Sequence, residues 1–149
     1  GKACCNGYPG SFVAGRKDII GSDSCRETWL AATFHCDMPS LVALETVLAE
    51  MKRRDGIAYL WKIGQQLMDG INAACEESGL GFRLTGLAPM PKPRTLNDDG
   101  ERVIQVFQSC LRRGHYLSHG HPMFLSLAHT EADVASTVEA FRESVAEVV

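Results

Sequence analysis

A lysine stands beside a turn-forming sequence at the start of the chain. Lys2 follows Gly1 and shortly precedes Asn6-Gly7-Tyr8-Pro9. A glycine-rich turn lets the backbone approach a ligand closely, and a desolvated lysine can form a Schiff base with a carbonyl compound. A lysine so near a chain terminus is most often a solvated surface charge, so these residues alone leave both interpretations open.

A threonine marks a second place where chemistry is expected. Thr33 lies near the end of the apolar run Trp29 to Phe34, and Pro39-Ser40 then begins a helix. A hydroxyl at the end of a strand can donate a hydrogen bond to a phosphate. The alternative is a polar strand end that leads into a helix without binding anything.

The histidines and cysteines are residue types that bind metals, but their spacing in the sequence does not match known metal-binding motifs. His115, His119 and His121 are close in sequence, yet they match no zinc motif, so we predict no metal site. The cysteines stand at positions 4, 5, 25, 36, 75 and 110, without a Cys-x-x-Cys pair. We expect reduced, mostly buried thiols in a cytoplasmic protein.

Helix and strand patterns alternate along the chain and predict an α/β or α+β layer structure. Apolar residues recur at helical spacing from Leu41 to Met51 and from Ile57 to Cys75, where Gly79 then ends the helix. Thr130 and Asp133 resemble a capping box at the start of the last helix. The remaining predictions are strands at 11–14, 29–34, 82–87, 116–117 and 124–127, extended chain at 88–94, a helical turn at 16–20 and a helix at about 97–111.

Composition excludes several classes of protein. The 149 residues are 45% hydrophobic and 22% charged, with a net charge of −3, so a globular core is expected but no strong attraction to nucleic acid or an anionic membrane. No apolar run reaches the roughly 20 residues that span a bilayer. We therefore predict neither a nucleic-acid partner nor a membrane partner.

Three segments, taken in order, resemble one enzyme family. The first is Gly1-Lys2 with Asn6-Gly7-Tyr8-Pro9 and Gly15-Arg16-Lys17-Asp18-Ile19-Ile20, the second is Ala32-Thr33-Phe34 before a long helix, and the third runs from Phe124 to Val134. Together they resemble the class III pyridoxal-phosphate-dependent aminotransferases, in particular members like glutamate-1-semialdehyde aminomutase. The resemblance covers essentially the whole chain.

This resemblance implies roles for two residues. Lys2 would bind pyridoxal 5′-phosphate as a Schiff base and would move the proton at the substrate Cα. Thr33 would hydrogen-bond the cofactor phosphate across the interface of a homodimer. The substrate would be a small-molecule amino donor or acceptor, and the reaction would be amino transfer or, alternatively, an aminomutase rearrangement. Some positions depart from the family pattern, notably His35-Cys36-Asp37, which weakens any inference about the substrate.

The same resemblance implies a domain organisation. Residues 1–38 would be the end of the cofactor-binding large domain, and residues 39–149 a linking helix and a C-terminal small domain of a fold-type I transferase. The residues that hold the cofactor ring would precede Lys2, so we expect the chain to be cut from a longer protein and to be inactive alone. A non-catalytic dimerisation or binding module with the same ancestry is the other hypothesis.

Overall fold

A computed structural model describes residues 3–20, 27, 33, 34 and 37–149. These residues divide into two compact units, 1–55 and 56–149, and each unit is described by itself. The first contains helices α1 and α2, and the second contains helices α3, α4 and α5 and a two-stranded sheet. The bounds are α1 Lys17–Ile20, α2 Met38–Arg53, α3 Gly56–Ser78, β1 Phe82–Leu87, β2 Met90–Thr95, α4 Gly100–Arg112 and α5 Glu131–Val148.

Helix α2 begins where its sequence predicts. The Asp37 side chain accepts a hydrogen bond of 3.0 Å from the Ser40 backbone N–H, and Pro39 occupies the first turn, where its missing N–H costs nothing. The predicted apolar face is only partly covered, since Leu41 and Leu48 are each about half exposed. Ser40 is the buried residue of this helix among the described residues.

One strand predicted near the start of the chain is not a strand, and only the last two residues of another are described. Residues 11–14 have no regular structure, and Thr33 and Phe34 lie in a turn, while residues 29–32 of that prediction fall outside the described residues. The residues 11–13 are exposed, so no neighbouring strand pairs with them there. The helical turn predicted at 16–20 is present as α1.

The second unit is built around α3, the longest helix. Ile63, Leu67 and Ile71 recur on one face and are buried, as the periodicity predicts. Gly79 follows the helix with φ of +74°, which is the left-handed conformation that favours glycine at a helix end. Gly64 is also required, because a Cβ there would lie 2.0 Å from the carbonyl oxygen of Ala88 in the hairpin turn.

Strands β1 and β2 form an antiparallel hairpin in which Leu84 stands opposite Pro93. The Leu84 N–H and C=O point away from β2 and bond the Asn72 side chain of α3, at 2.7 and 3.1 Å. On the other edge, the N–H groups of Met123 and Leu125 donate to the carbonyls of Pro91 and Pro89. Backbone groups on both edges of the hairpin therefore have hydrogen-bond partners at these positions.

The strands predicted at 116–117 and 124–127 are absent as regular elements. Prolines in β2 have no N–H to donate, so the segment that contains Leu125 bonds β2 through its own N–H groups, without a continuous ladder. The prediction of extended chain at 88–94 holds, and most of that segment is β2.

Three phenylalanines form the centre of the core. Phe82 of β1 meets Phe107 of α4 edge to face, with ring centroids 5.3 Å apart, and both contact Phe141 of α5. Buried polar groups nearby are paired, since the Cys110 thiol donates to Ser144 Oγ, which donates to the Ala140 carbonyl. The second unit is thus a small α/β domain, the predicted fold class, with helices packed on one antiparallel hairpin.

Candidate functional site

The turn that follows Lys2 is well defined, although Lys2 itself lies outside the described residues. We call residues 3–10 the N-terminal turn. The Asn6 N–H donates to the Ala3 carbonyl at 3.1 Å, and the Tyr8 N–H donates to the Cys5 carbonyl at 3.0 Å. Asn6 and Gly7 both have positive φ, of +49° and +93°, which are conformations that asparagine and glycine adopt readily. This is the turn that the sequence predicts.

The N-terminal turn packs against the first turn of α2. Cys5 is 1% exposed, and a Cβ placed on Gly10 would lie 2.3 Å from Cys5 Sγ and 3.5 Å from Ser40 Cβ. The Cys5 thiol therefore packs on the backbone of Gly10, and Ser40 lies close to Gly10; we call this arrangement the seat of Cys5. The seat was not predicted from the sequence, where a glycine in a loop suggests only a turn.

Thr33 is exposed and lies ahead of the same helix. The carbonyl of Phe34 accepts a hydrogen bond of 3.2 Å from the Asp37 N–H, and Asp37 then caps α2. The seat of Cys5 places the N-terminal turn next to α2. The residues that follow Lys2 are therefore close to the helix that follows Thr33. It gives no distance between Lys2 and Thr33 themselves.

The donor set of these two positions suits part of a pyridoxal phosphate molecule. A primary amine can bind its aldehyde covalently, and an exposed hydroxyl can donate to its phosphate. Of the carboxylates nearby, Asp37 is engaged in capping α2 and Asp18 is paired with Arg16.

His115 and His129 of the second unit are engaged in ordinary hydrogen bonds. Thr137 Oγ1 donates its proton to the Asp133 carbonyl, so His115 Nδ1, 3.0 Å away, must donate to Thr137. The Ser126 N–H donates to His129 Nδ1 at 3.0 Å, which fixes that nitrogen as an acceptor. Within the described part of the chain no three metal-ligating side chains cluster.

The family-like segment 124–134 has a structural role here. The His129 side chain closes the loop on Ser126, and the Tyr59 hydroxyl of α3 donates to the His129 carbonyl at 3.0 Å. Thr130 and Asp133 then form the predicted capping box of α5, each side chain bonding the other's backbone N–H. These residues of the family-like segment build the start of α5.

A groove of about 540 Å³ lies beside this segment. Its lining is mainly apolar, and the polar groups of His115, His129 and Asp133 that face it are engaged in the bonds just described. No helix in the described ranges is both long and apolar enough to cross a membrane.

The chain is similar in sequence to curated aminotransferases and aminomutases. The chain is 33% identical over 142 residues to the aminopentol aminotransferase of Sphingopyxis macrogoltabida, a match that covers 94% of this chain and 33% of that protein. It is 31% identical over 157 residues to the glutamate-1-semialdehyde 2,1-aminomutase of Archaeoglobus fulgidus, covering 97% of this chain and 38% of that protein. The chain thus spans about a third of the length of these curated relatives. No protein-family model matches it.

Solved structures agree with the sequence matches. The FumI protein of Sphingopyxis sp. MTA144, in its PLP internal aldimine form, superimposes with a TM-score of 0.76 and 29% identity, covering 85% of this chain and 31% of that one. An omega-transaminase from Sphaerobacter thermophilus has the same fold, with a TM-score of 0.70 and 19% identity over 81% of this chain and 30% of that one. Over about a third of their length, the chain is thus similar to pyridoxal-phosphate-dependent aminotransferases and aminomutases of the class III type.

Proposed function

We propose that these residues are the C-terminal portion of a pyridoxal-phosphate-dependent aminotransferase that acts on small amino donors and acceptors. The observation that carries the proposal is the identity of 33% across 94% of the chain to an aminopentol aminotransferase. The TM-score of 0.76 to the PLP form of FumI supports it independently of that alignment.

Lys2 would hold the cofactor and move a proton. Pyridoxal phosphate, when bound, supplies an aldehyde that links covalently to amines and a ring that accepts electrons. Lys2 Nζ would bind that aldehyde when no substrate is present and would otherwise remove and return the proton at the substrate Cα. The N-terminal turn supports this role, because its packing on α2 fixes the backbone directly after Lys2.

Thr33 would donate its hydroxyl proton to the cofactor phosphate. Its exposure supports this role, since a phosphate can approach the side chain. In the dimeric arrangement that we propose, the phosphate would belong to the site of the other protomer. We further propose residues 1–38 as the end of the large domain, residues 39–149 as the linking helix and small domain, and the cytoplasm as the location.

A chimera tests this function. The matching segment of the Sphingopyxis aminopentol aminotransferase is replaced by these 149 residues, and the protein is incubated with pyridoxal phosphate and reduced with borohydride. We expect mass spectrometry to find the pyridoxyl group on Lys2, and an amino donor to be consumed. Lys2→Ala should abolish both signals, whereas Lys17→Ala, which alters an exposed lysine of α1, should change neither. Labelling spread equally over all lysines would contradict the assignment.

An aminomutase is the second candidate, favoured by the match to the Archaeoglobus protein. Amino transfer releases a carbonyl product from the donor, whereas a mutase keeps the nitrogen within one molecule. Trapping the carbonyl product from the folded chimera distinguishes the two. A stoichiometric carbonyl product supports transfer, and an isomerised substrate without it supports the mutase.

The isolated chain should not catalyse amino transfer. Lys2 and Thr33 would bind only the aldehyde and the phosphate of pyridoxal phosphate. The ring nitrogen of the cofactor would therefore lack a partner that keeps it protonated. We expect no turnover of an amino donor by the 149 residues with added pyridoxal phosphate. Turnover that depends on Lys2 would show that the remaining two thirds of the relatives' length are dispensable.

A further inference from the structure

Two adjacent cysteines in the N-terminal turn are within reach of each other. Cys4 Sγ and Cys5 Sγ are 3.8 Å apart, with Cys4 partly exposed and Cys5 1% exposed. A disulfide bond is about 2.05 Å long, so the sulfurs must approach by about 1.8 Å. Rotation about the two Cα–Cβ bonds, together with a change in the backbone of the N-terminal turn, would supply that movement.

The seat of Cys5 links this chemistry to the packing of the turn. In the reduced form the Cys5 thiol occupies the space that a side chain at Gly10 would fill, and Ser40 of α2 lies beside that space. A sulfur that turns toward Cys4 leaves that seat. Formation of the disulfide would therefore empty the buried space between Gly10 and Ser40 of α2 and weaken the packing of the N-terminal turn there.

We propose that Cys4 and Cys5 form a reversible oxidation site whose disulfide releases the N-terminal turn from α2. The oxidant is a peroxide, and the reductant is a dithiol. This site is independent of the cofactor chemistry, but its effect on Lys2, two residues before Cys4, rests on the proposed function.

The reaction balances in two steps. The partly exposed Cys4 sulfur attacks one peroxide oxygen, forming a sulfenic acid and releasing water. The Cys5 sulfur then attacks Cys4 Sγ, so that the S–S bond forms and the sulfenic hydroxyl leaves as a second water. Burial raises the pKa of the Cys5 thiol, with a contribution from its hydrogen bond to Cys4. Cys4 is the sulfur that peroxide reaches first, because it is partly exposed while Cys5 is buried.

Adjacent residues suit a reversible bond. Their Cα atoms are about 3.8 Å apart across a trans peptide, closer than the roughly 4.4–6.8 Å of most disulfides. A bond formed at that spacing is easier to reduce, which distinguishes a switch from a structural cross-link. The other described thiols, Cys75 and Cys110, are buried in the second unit at 3% and 0% exposure.

Mass spectrometry of the full chain tests the site. Cys25 and Cys36 are replaced by serine, the protein is treated with hydrogen peroxide, free thiols are alkylated, and trypsin releases the peptide from Ala3 to Arg16. We expect this peptide to be lighter by two hydrogen atoms, unalkylated, and restored by dithiothreitol. Cys4→Ser and Cys5→Ser should each abolish that species. Peroxide treatment that yields only sulfinic or sulfonic acids, or disulfides between chains, would overturn the proposal.

Two glycine variants test the seat. Gly10→Ala should expel the Cys5 thiol, since the new Cβ would lie 2.3 Å from its sulfur, and should speed its reaction with a thiol reagent severalfold. Gly100→Ala, which meets nothing within 4 Å in the second unit, is the matched control and should leave that rate unchanged. An unchanged rate in Gly10→Ala would show that the seat does not hold Cys5.

The activity of the chimera tests whether oxidation of Cys4 and Cys5 affects Lys2. In the chimera, peroxide should lower amino transfer, dithiothreitol should restore it, and Cys4→Ser should make the activity resistant. If the disulfide forms in the isolated chain but activity is insensitive, the oxidation site stands and its link to Lys2 fails. A failure of Lys2 labelling in the reduced chimera would instead count against the proposed function.

Discussion

At the scale of single residues, Gly64 sets how closely α3 approaches the hairpin. Its missing side chain leaves room for the backbone of Ala88, which is itself 2% exposed. Because backbone cannot rotate away as a side chain can, we expect Gly64→Ala to destabilise the second unit by about 1–3 kcal/mol. Urea unfolding followed by circular dichroism measures this.

Gly100→Ala is the matched control for that prediction. Gly100 opens α4 with no neighbour in contact and without a positive φ. Alanine lowers the backbone entropy of the unfolded chain, so this variant should be stabilised by about 0.4–1 kcal/mol. Equal effects of the two substitutions would show that the close approach at Gly64 is not the cause.

Asp133 makes the stability of α5 depend on pH. Hydrogen bonds from the Thr130 backbone N–H, at 2.8 Å, and from its hydroxyl, at 2.7 Å, lower the pKa of the Asp133 carboxyl below its usual 3.8. The folded state then binds this proton less readily than the unfolded state. The stabilisation is therefore complete above the unfolded pKa and is lost as the pH falls through the folded value.

Asp133→Asn should accordingly flatten the acid limb of the stability curve. We expect the urea midpoint of the wild type to fall between about pH 5 and pH 3, and that of Asp133→Asn to fall less steeply over the same range. Thr130→Val removes one of the two donors and should give an intermediate slope. Identical slopes in all three proteins would refute the linkage.

The residues also show what a sequence can and cannot predict. The turn after Lys2 and the capping box at Thr130 follow from local backbone preferences, which a short sequence contains. The seat of Cys5 joins residues 5, 10 and 40, and no local pattern reports such a contact. The roles of Lys2 and Thr33 remain predictions, because they depend on a resemblance and not on any contact described here.

At the scale of elements, Glu147 joins α5 to α4. It accepts a hydrogen bond of 2.6 Å from the Ser109 hydroxyl, whose residue is 1% exposed, and pairs with Arg112 and Arg113 at 3.2 Å. The ion pairs are solvent-exposed and contribute little, whereas a buried hydroxyl without a partner is unfavourable.

Glu147→Ala should therefore lower the urea midpoint more than Glu147→Gln, which keeps an amide oxygen for Ser109. Arg112→Ala, which removes one ion pair and leaves the Ser109 bond, is the control and should have a small effect. If Arg112→Ala matched Glu147→Ala, the ion pair and not the hydroxyl would be the main contribution.

Helices were more predictable than strands in this chain. The helical spacing of apolar residues in α3 and α5 and the short apolar segment at β1 are local features of the sequence. They predict these elements close to their observed positions. The segments at 11–14, 116–117 and 124–127 have strand-like composition, yet a strand exists only where a partner supplies a ladder. Which segment pairs with a given strand depends on the tertiary fold. Amino-acid composition alone therefore predicted more strands than the described structure contains.

At the scale of the whole molecule, the described surface of α2 predicts association. Leu41, Val42 and Leu48 are 50%, 57% and 51% exposed on one helix. An apolar surface of this kind favours contact with another surface. We expect sedimentation velocity to show concentration-dependent oligomers of the isolated chain.

Leu41→Lys combined with Leu48→Lys should shift that equilibrium toward monomer. Glu45→Gln, an exposed polar change on the same helix, is the control and should leave the distribution unchanged. A wild-type chain that sediments as a monomer at every concentration would contradict the prediction.

The bonds on the two edges of the hairpin restrict what form such association can take. Asn72 holds both backbone groups of Leu84, and the N–H groups of Met123 and Leu125 hold the carbonyls of Pro91 and Pro89. A strand from another molecule would have to displace these bonds before it could use the hairpin as a template. Growth into a cross-β fibre is therefore disfavoured at this sheet.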